Sequence, residues 1–197
     1  MVSNEQNIDW SILLHDIRSV QNVASIFRMA EVLGVNKIYL SGVTPGPLDR
    51  FGFERADFLK ISLGTEKRVK WERIEGDVLE FIEKFKNNDT GENLVNSSLK
   101  DLWHAVPADS FPKFSPVLEN KNVVIALEQS ENSVDYKKVE IIQNIKYLVV
   151  PGREVEGLEE NILKMCDVVA EIPQYGQKES LNIFSSMSIA CFRFFDL

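Results

Sequence analysis

Near the end of this chain two apolar runs, residues 147–150 and 167–172, each lead into a polar, glycine-containing loop. The second loop opens onto a helix that is almost free of charge. From position 181 to 195 the only charged residue is Arg193. Leu181, Phe184, Cys191 and Phe192 fall on one side, and Ile183, Met187, Ala190 and Phe194 on others, so the helix is apolar all round and must be covered all round. Chain ends ordinarily fray. This one would expose Phe184, Phe192, Phe194 and Phe195, so the helix is expected to insert into the fold, to press against a partner subunit, or both. The two loops gather backbone N–H and C=O groups at one edge of a sheet, which suits a site for a small polar molecule.

Upstream, residues 11–14 read as a first strand ending near His15 and Asp16. Val23, Ile26, Phe27, Ala30 and Leu33 recur at helical spacing, and Gly34 follows as a C-terminal cap. Residues 37–41 form a second strand. Residues 42–52, with two prolines, make an open loop. A short helix is expected over 53–63 and an amphipathic one over 77–86. Residues 87–120 hold three prolines (Pro107, Pro112 and Pro116) and no sustained period, and read as an irregular insertion of the kind that is functional or mobile. Strands resume at 122–127, 147–150 and 167–172 with helical stretches between them. Strands alternating with helices predict one α/β domain over residues 1–197, with a mainly parallel sheet covered by helices on both faces.

Bulk properties exclude several classes. No run approaches the roughly 18 apolar residues of a membrane span, and the polar start lacks a signal-peptide pattern. The cytoplasm is the expected location. Cys166 and Cys191 have no paired spacing and lie in apolar surroundings, which marks reduced core residues. His15 and His104 are far apart in sequence, so no metal site is expected. A net charge of −8 opposes nonspecific nucleic-acid binding. Residues 44–73, however, carry seven basic residues against five acidic ones, a local +2 that leaves −10 for the remainder. The loop after residue 151 is not a phosphate loop, because Leu158 and Glu159 stand where Lys and Ser/Thr are needed. The dinucleotide fingerprint is also missing.

Three segments stand out together. Asn22 precedes Arg28 by six residues in the first helix. Gly152, Glu154 and Gly157 punctuate one loop, and Ile172 and Pro173 lead to Ser180, Leu181 and Asn182 at the other. In order and spacing these resemble the three motifs of the SpoU/TrmH branch of the SPOUT RNA methyltransferases. The likeness runs over most of the chain and fails mainly over 87–120. It implies an α/β-knot fold whose C-terminal segment forms a trefoil knot, a homodimer packed through that knot region, and methyl transfer from S-adenosylmethionine to a ribose 2′-hydroxyl of tRNA or rRNA. The alternative is a knotted dimer that binds RNA or cofactor without catalysis.

By the same resemblance the catalytic candidates are Asn22, Arg28, Glu154, Ser180 and Asn182. Cofactor contacts fall to Leu127, Gly152, Gly157, Ile172, Gln174 and Leu181, largely through backbone groups. Arg28 would hold a phosphate and the hydroxyl; a guanidinium pKa above about 12 favours charge stabilisation over proton removal. Asn22 and Ser180 are each also natural helix caps, and Asn22 capping its helix is compatible with orienting Arg28 or the ribose. Arg153 departs from the family's usual Asn or Pro and would add a phosphate contact or reshape the pocket. Few residues precede the first strand, so RNA selection is expected from the 44–73 lip, from the insertion with Trp103 and His104, or from the dimer.

Overall fold

The computed structural model describes residues 9–87, 122–178 and 180–195. The expected insertion at 87–120, with Trp103 and His104, lies outside them except for its first residue. Among the described residues seven strands form one sheet: β1 (Asp9–His15), β2 (Lys37–Ser41), β3 (Trp71–Arg73), β4 (Val123–Leu127), β5 (Val134–Asp135), β6 (Lys146–Pro151) and β7 (Val168–Glu171). Their order is β3-β2-β1-β6-β4-β7-β5, and every pairing is parallel. The parallel sheet predicted from the alternation of elements is therefore present. The three-residue β3 and two-residue β5 lie at its edges, and neither was expected from the sequence.

Alternation along the strands divides the interior in two. Ile12, Leu14, Ile38, Leu40, Ile125, Tyr147 and Val149 point to one face, which is covered by α1 (Val20–Leu33), α2 (Ala56–Ser62) and α5 (Ile183–Phe194). Leu13, Tyr39, Val124, Ala126, Leu148 and Val150 point to the other, under α3 (Val78–Lys86) and α4 (Glu160–Met165). A strand buried on both faces reads as a continuous apolar run, as β4 and β6 do. Among the described residues no helix is long and apolar enough to cross a membrane.

Local chemistry explains the helix boundaries. Gly34 takes the left-handed conformation (φ 69°) and its N–H returns to the carbonyls of Ala30 and Glu31, closing α1 as anticipated. The N-cap of α1 is Ser19, whose hydroxyl accepts from Asn22 N–H. Asn22 is therefore not the cap, and its side chain is left for other partners. Asp77 caps α3. At the far end of α3, Lys86 donates to Asp167 at 2.6 Å and to the Met165 carbonyl at 2.9 Å. The second Asp167 oxygen accepts from Val124 N–H. This clamp joins α3, β4 and the entry to β7, half-buried where screening by water is reduced.

The last helix is inserted into the fold on one side, one of the alternatives its composition left open. Met187, Ala190 and Cys191 have no exposure, and Phe194 and Phe195 are buried, with Trp10 of β1 stacked on Tyr147 (4.7 Å) and Phe195 (4.4 Å). Ile189 and Phe192 are each 40% exposed. The helix is thus seated in the fold by one face and keeps an uncovered apolar face. Burial all round is not reached within one chain.

Candidate functional site

In a parallel sheet all strands end at one edge, and a ligand crevice forms there where neighbouring strands leave in different directions. Here the chain runs outward through β1, β2 and β3, crosses back to β4, and later places β6 between β1 and β4. The loops after β4, β6 and β7 enclose a cleft of about 360 Å³ beside the start of α5. Of the residues expected to touch a cofactor, Leu127, Gly152, Ile172, Gln174 and Leu181 line this cleft; Glu154, Ser180 and Asn182 line it too. Gly157 does not.

Gly157 and Gly152 share a different partner. A Cβ on either glycine would collide with the carboxylate of Glu128, the first residue beyond β4. That carboxylate accepts from Leu158 N–H at 2.9 Å and from its neighbour Gln129 N–H at 2.8 Å. The loop after β6 thus wraps around the Glu128 carboxylate, and its two glycines leave the room. Gly157 also adopts φ 67°, where a side chain would be strained. Glu128 lines the cleft but was not singled out from the sequence. Its one local sign is an acid directly after an apolar strand, at the edge where ligands gather.

Glu154 connects the first two segments. It accepts from the backbone N–H groups of Arg18 (3.4 Å) and Ser19 (3.3 Å) and from Asn22 Nδ2 (3.2 Å). The third segment is joined by Asn182, which donates from Nδ2 to Asn22 Oδ1 at 3.0 Å. Asn182 Oδ1 meanwhile accepts from Phe184 N–H and Ser185 N–H, so Asn182 is the N-cap of α5. The capping role considered for Ser180 belongs to Asn182, and Ser180 is left exposed at the cleft. Residues separated by more than a hundred positions therefore form one chain of hydrogen bonds, Glu154–Asn22–Asn182.

Arg28 lies apart from this chain. It is exposed on α1 and does not line the cleft. Its neighbour one turn on, Glu31, pairs with Arg68 instead (2.9 Å). Arg153 is held inside its own loop. Its Nε donates to the Gly157 carbonyl at 2.8 Å, and Nη1 lies 3.3 Å from Glu159 and 3.7 Å from Asp16. The departure at this position thus braces the loop, with the guanidinium engaged by protein groups. His15, Asp16 and Glu159 bring three potential metal ligands within 4.8 Å of one another. Arg153 contacts both carboxylates, and a dication there would have to displace it.

Neither cysteine is a nucleophile. Burial pushes the Cys166 and Cys191 thiols up to about 12, so both stay protonated at neutral pH. The site's chemistry rests on carboxylates, amides and backbone groups.

Among solved structures, the rRNA methyltransferase from Sinorhizobium meliloti aligns over 96% of this chain and 56% of its own, with a TM-score of 0.66 and 20% identity. The A. aeolicus TrmH/SpoU tRNA modifying enzyme aligns over 97% of this chain and 77% of its own (TM-score 0.65, 18% identity). The SpoU methyltransferase AviRb from Streptomyces viridochromogenes, in complex with the cofactor AdoMet, aligns over 98% and 61% (TM-score 0.65, 16% identity). The chain thus spans little more than half the length of the first of these, and at such identities the likeness concerns the fold. No curated protein sequence matches the chain. The model of the SpoU rRNA methylase family matches residues 9–192, which takes in all three linked segments and the strands that carry them. With most of its length matched, the chain belongs to the SpoU rRNA methylase family.

Proposed function

We propose that this protein transfers a methyl group from S-adenosylmethionine to a ribose 2′-hydroxyl of tRNA or rRNA, as a cytoplasmic homodimer. The observation that carries the reading is the Glu154–Asn22–Asn182 chain at the mouth of the cleft. Three distant segments converge on one polar site at the ligand-binding edge of a parallel sheet.

The cleft suits the cofactor chemically. Its walls combine apolar side chains (Leu127, Ile172, Ile183) with loop backbone after three strands, as a purine and a thioether-like chain require. Glu128, Glu154 and Glu171 set three carboxylates against the single guanidinium of Arg153. Such a lining favours a ligand with an ammonium and a sulfonium group. Leu127, Gly152, Ile172, Gln174 and Leu181 would hold it, with Gly157 shaping the loop around Glu128. S-adenosylmethionine supplies an already activated methyl group.

The protein's own task is then to orient the acceptor and to stabilise negative charge on its oxygen. Asn22 and Asn182 present fixed amides beside the cleft, and Ser180 offers a hydroxyl. Glu154 holds the start of α1 against the loop after β6. Arg28 supplies positive charge for a phosphate and the developing oxyanion, a role its high pKa permits without proton removal. Because Arg28 is outside the cleft of its own chain, a dimer is the arrangement that completes the site. The uncovered Ile189 and Phe192 on α5 and the exposed Val32 on α1 supply apolar surface for that contact. We further propose that the segment carrying α5 is threaded as a trefoil knot, which accords with a chain end buried against β1 and α1.

Calorimetric titration with S-adenosylmethionine and with its demethylated product tests the pocket. Binding near one molecule per chain is expected. A protein that binds neither, alone or with RNA present, would overturn the reading.

A further inference from the structure

Between β2 and α2 the chain makes a small hairpin that the site does not use. Leu48 and Glu54 pair as an antiparallel bridge. Asp49 Oδ1 accepts from Phe51 N–H (2.8 Å) and Phe53 N–H (2.9 Å), and Arg55 N–H reaches the Pro47 carbonyl at 2.9 Å. The backbone is therefore well satisfied, yet the two rings it carries point into water: Phe51 is 69% exposed and Phe53 70%. The Arg50 guanidinium sits over the Phe51 ring at 4.7 Å. A turn this fully bonded, presenting two phenyl groups outward, gains nothing for the core.

Its surroundings indicate the occupant. Glu54 of the hairpin contacts Lys67 (3.6 Å), and the adjacent Arg68 binds Glu31, one turn along α1 from Arg28. The turn at residues 67 and 68 is thus tied on one side to the hairpin and on the other to the face of α1 that carries Arg28. Among the described residues Arg28, Arg50 and Lys60 are among the cations with no carboxylate partner, and residues 44–73 carry a net +2 in a chain of net −8. The hairpin leaves β2 at the same sheet edge as the cleft, two strands from β6 and so about 10 Å along the sheet. Aromatic rings beside unpaired cations, in an acidic molecule, match a ligand with flat apolar faces and a negative backbone.

We propose that the hairpin around Phe51 and Phe53 is a stacking platform for unpaired bases of the RNA substrate, with Arg50, Lys60 and Arg28 beside its phosphates. The inference rests on the methyltransferase reading and adds to it the requirement that the RNA be single-stranded next to the modified nucleotide. The test uses the full-length protein with a fluorescein-labelled single-stranded oligoribonucleotide and the duplex of the same sequence, both read by anisotropy, and calorimetric titration of S-adenosylmethionine. Phe51→Ala/Phe53→Ala is expected to lower single-strand affinity roughly ten- to hundredfold. Phe51→Tyr/Phe53→Tyr is expected to retain it, and cofactor binding to be equal in all three proteins. Unchanged RNA affinity in the alanine variant, a preference for the duplex, or a wild-type protein that binds cofactor but no RNA would each overturn the platform. Conversion of a dimer to monomer by the alanine pair would assign the rings to a subunit contact instead. If RNA binds through the rings while S-adenosylmethionine does not bind, the platform stands and the reading of the cleft falls.

Discussion

Asn182 illustrates how much one side chain can join. Its oxygen caps α5 and its nitrogen holds Asn22, so truncation to alanine would confound two losses. Serine separates them, because it caps nearly as well as asparagine but is too short to replace the amide N–H. Asn182→Ser should keep thermal stability close to wild type and reduce methyl transfer strongly, whereas Asn182→Ala should also cost about 1 kcal/mol of stability. Paired melting and turnover assays read both, and full activity in the serine variant would remove the Asn22–Asn182 bond from the mechanism. Glu128 and the two glycines around it make a second residue-scale prediction. Gly152→Ala should weaken cofactor binding by driving its methyl into the Glu128 carboxylate. Adding Glu128→Ala should restore part of that loss, a coupling that a double-mutant cycle on affinity measures. Additive losses would mean that the glycine serves something else.

At the scale of elements, α5 is the informative one. One face fills the space against β1 and α1, and the other leaves Ile189 and Phe192 to solvent. On the proposed dimer, Phe192→Glu should leave the fold intact and give a monomer with much reduced activity, as light scattering and turnover would record. An unchanged dimer mass would place the subunit contact elsewhere. The unusual composition of this helix was plain in the sequence, and so was the need to cover it. Which side the chain itself covers was not, because an all-apolar helix has no polar stripe to mark its outer face. Strands buried on both sides were legible for a related reason: β4 and β6 read as continuous apolar runs. β3 and β5 were not, being three- and two-residue edge strands whose pairing depends on neighbours already in place. Capping was legible as a residue type but not as a position. Ser19 and Asn22 compete at one helix start, Ser180 and Asn182 at another, and the tertiary bonds of Asn22 and Asn182 decide between them. Glu128 escaped notice because its role exists only once Gly152 and Gly157 fold around it.

At the scale of the molecule, three buried protons set an alkaline limit on stability. Burial raises the Cys166 and Cys191 thiols from 9.0 and the Tyr147 hydroxyl from 10.0, each to about 12. Below pH 9 both native and unfolded chains keep these protons, and the groups leave stability independent of pH. Between pH 9 and about 12 the unfolded chain releases them while the native chain retains them, so stability must fall as pH rises. Denaturant melts from pH 8 to 11 should show that decline, with both thiols unreactive toward a thiol reagent until unfolding. A flat profile would mean that these groups are reached by water in the native state. The charge distribution acts at the same scale. A net charge of −8 discourages indiscriminate RNA binding, and the local +2 over residues 44–73 is where attraction for a phosphate backbone is expected.

On the proposed function, Arg28 is needed for transfer of the methyl group to a ribose hydroxyl and not for holding the cofactor. Incubation of the protein with tRNA and rRNA and S-adenosylmethionine labelled in its methyl group, followed by digestion to nucleosides, tests it most directly. Label is expected in 2′-O-methylated nucleosides with the wild-type protein, and none with Arg28→Ala although that variant still binds the cofactor. Label on a base, or undiminished transfer by Arg28→Ala, would contradict the proposed function.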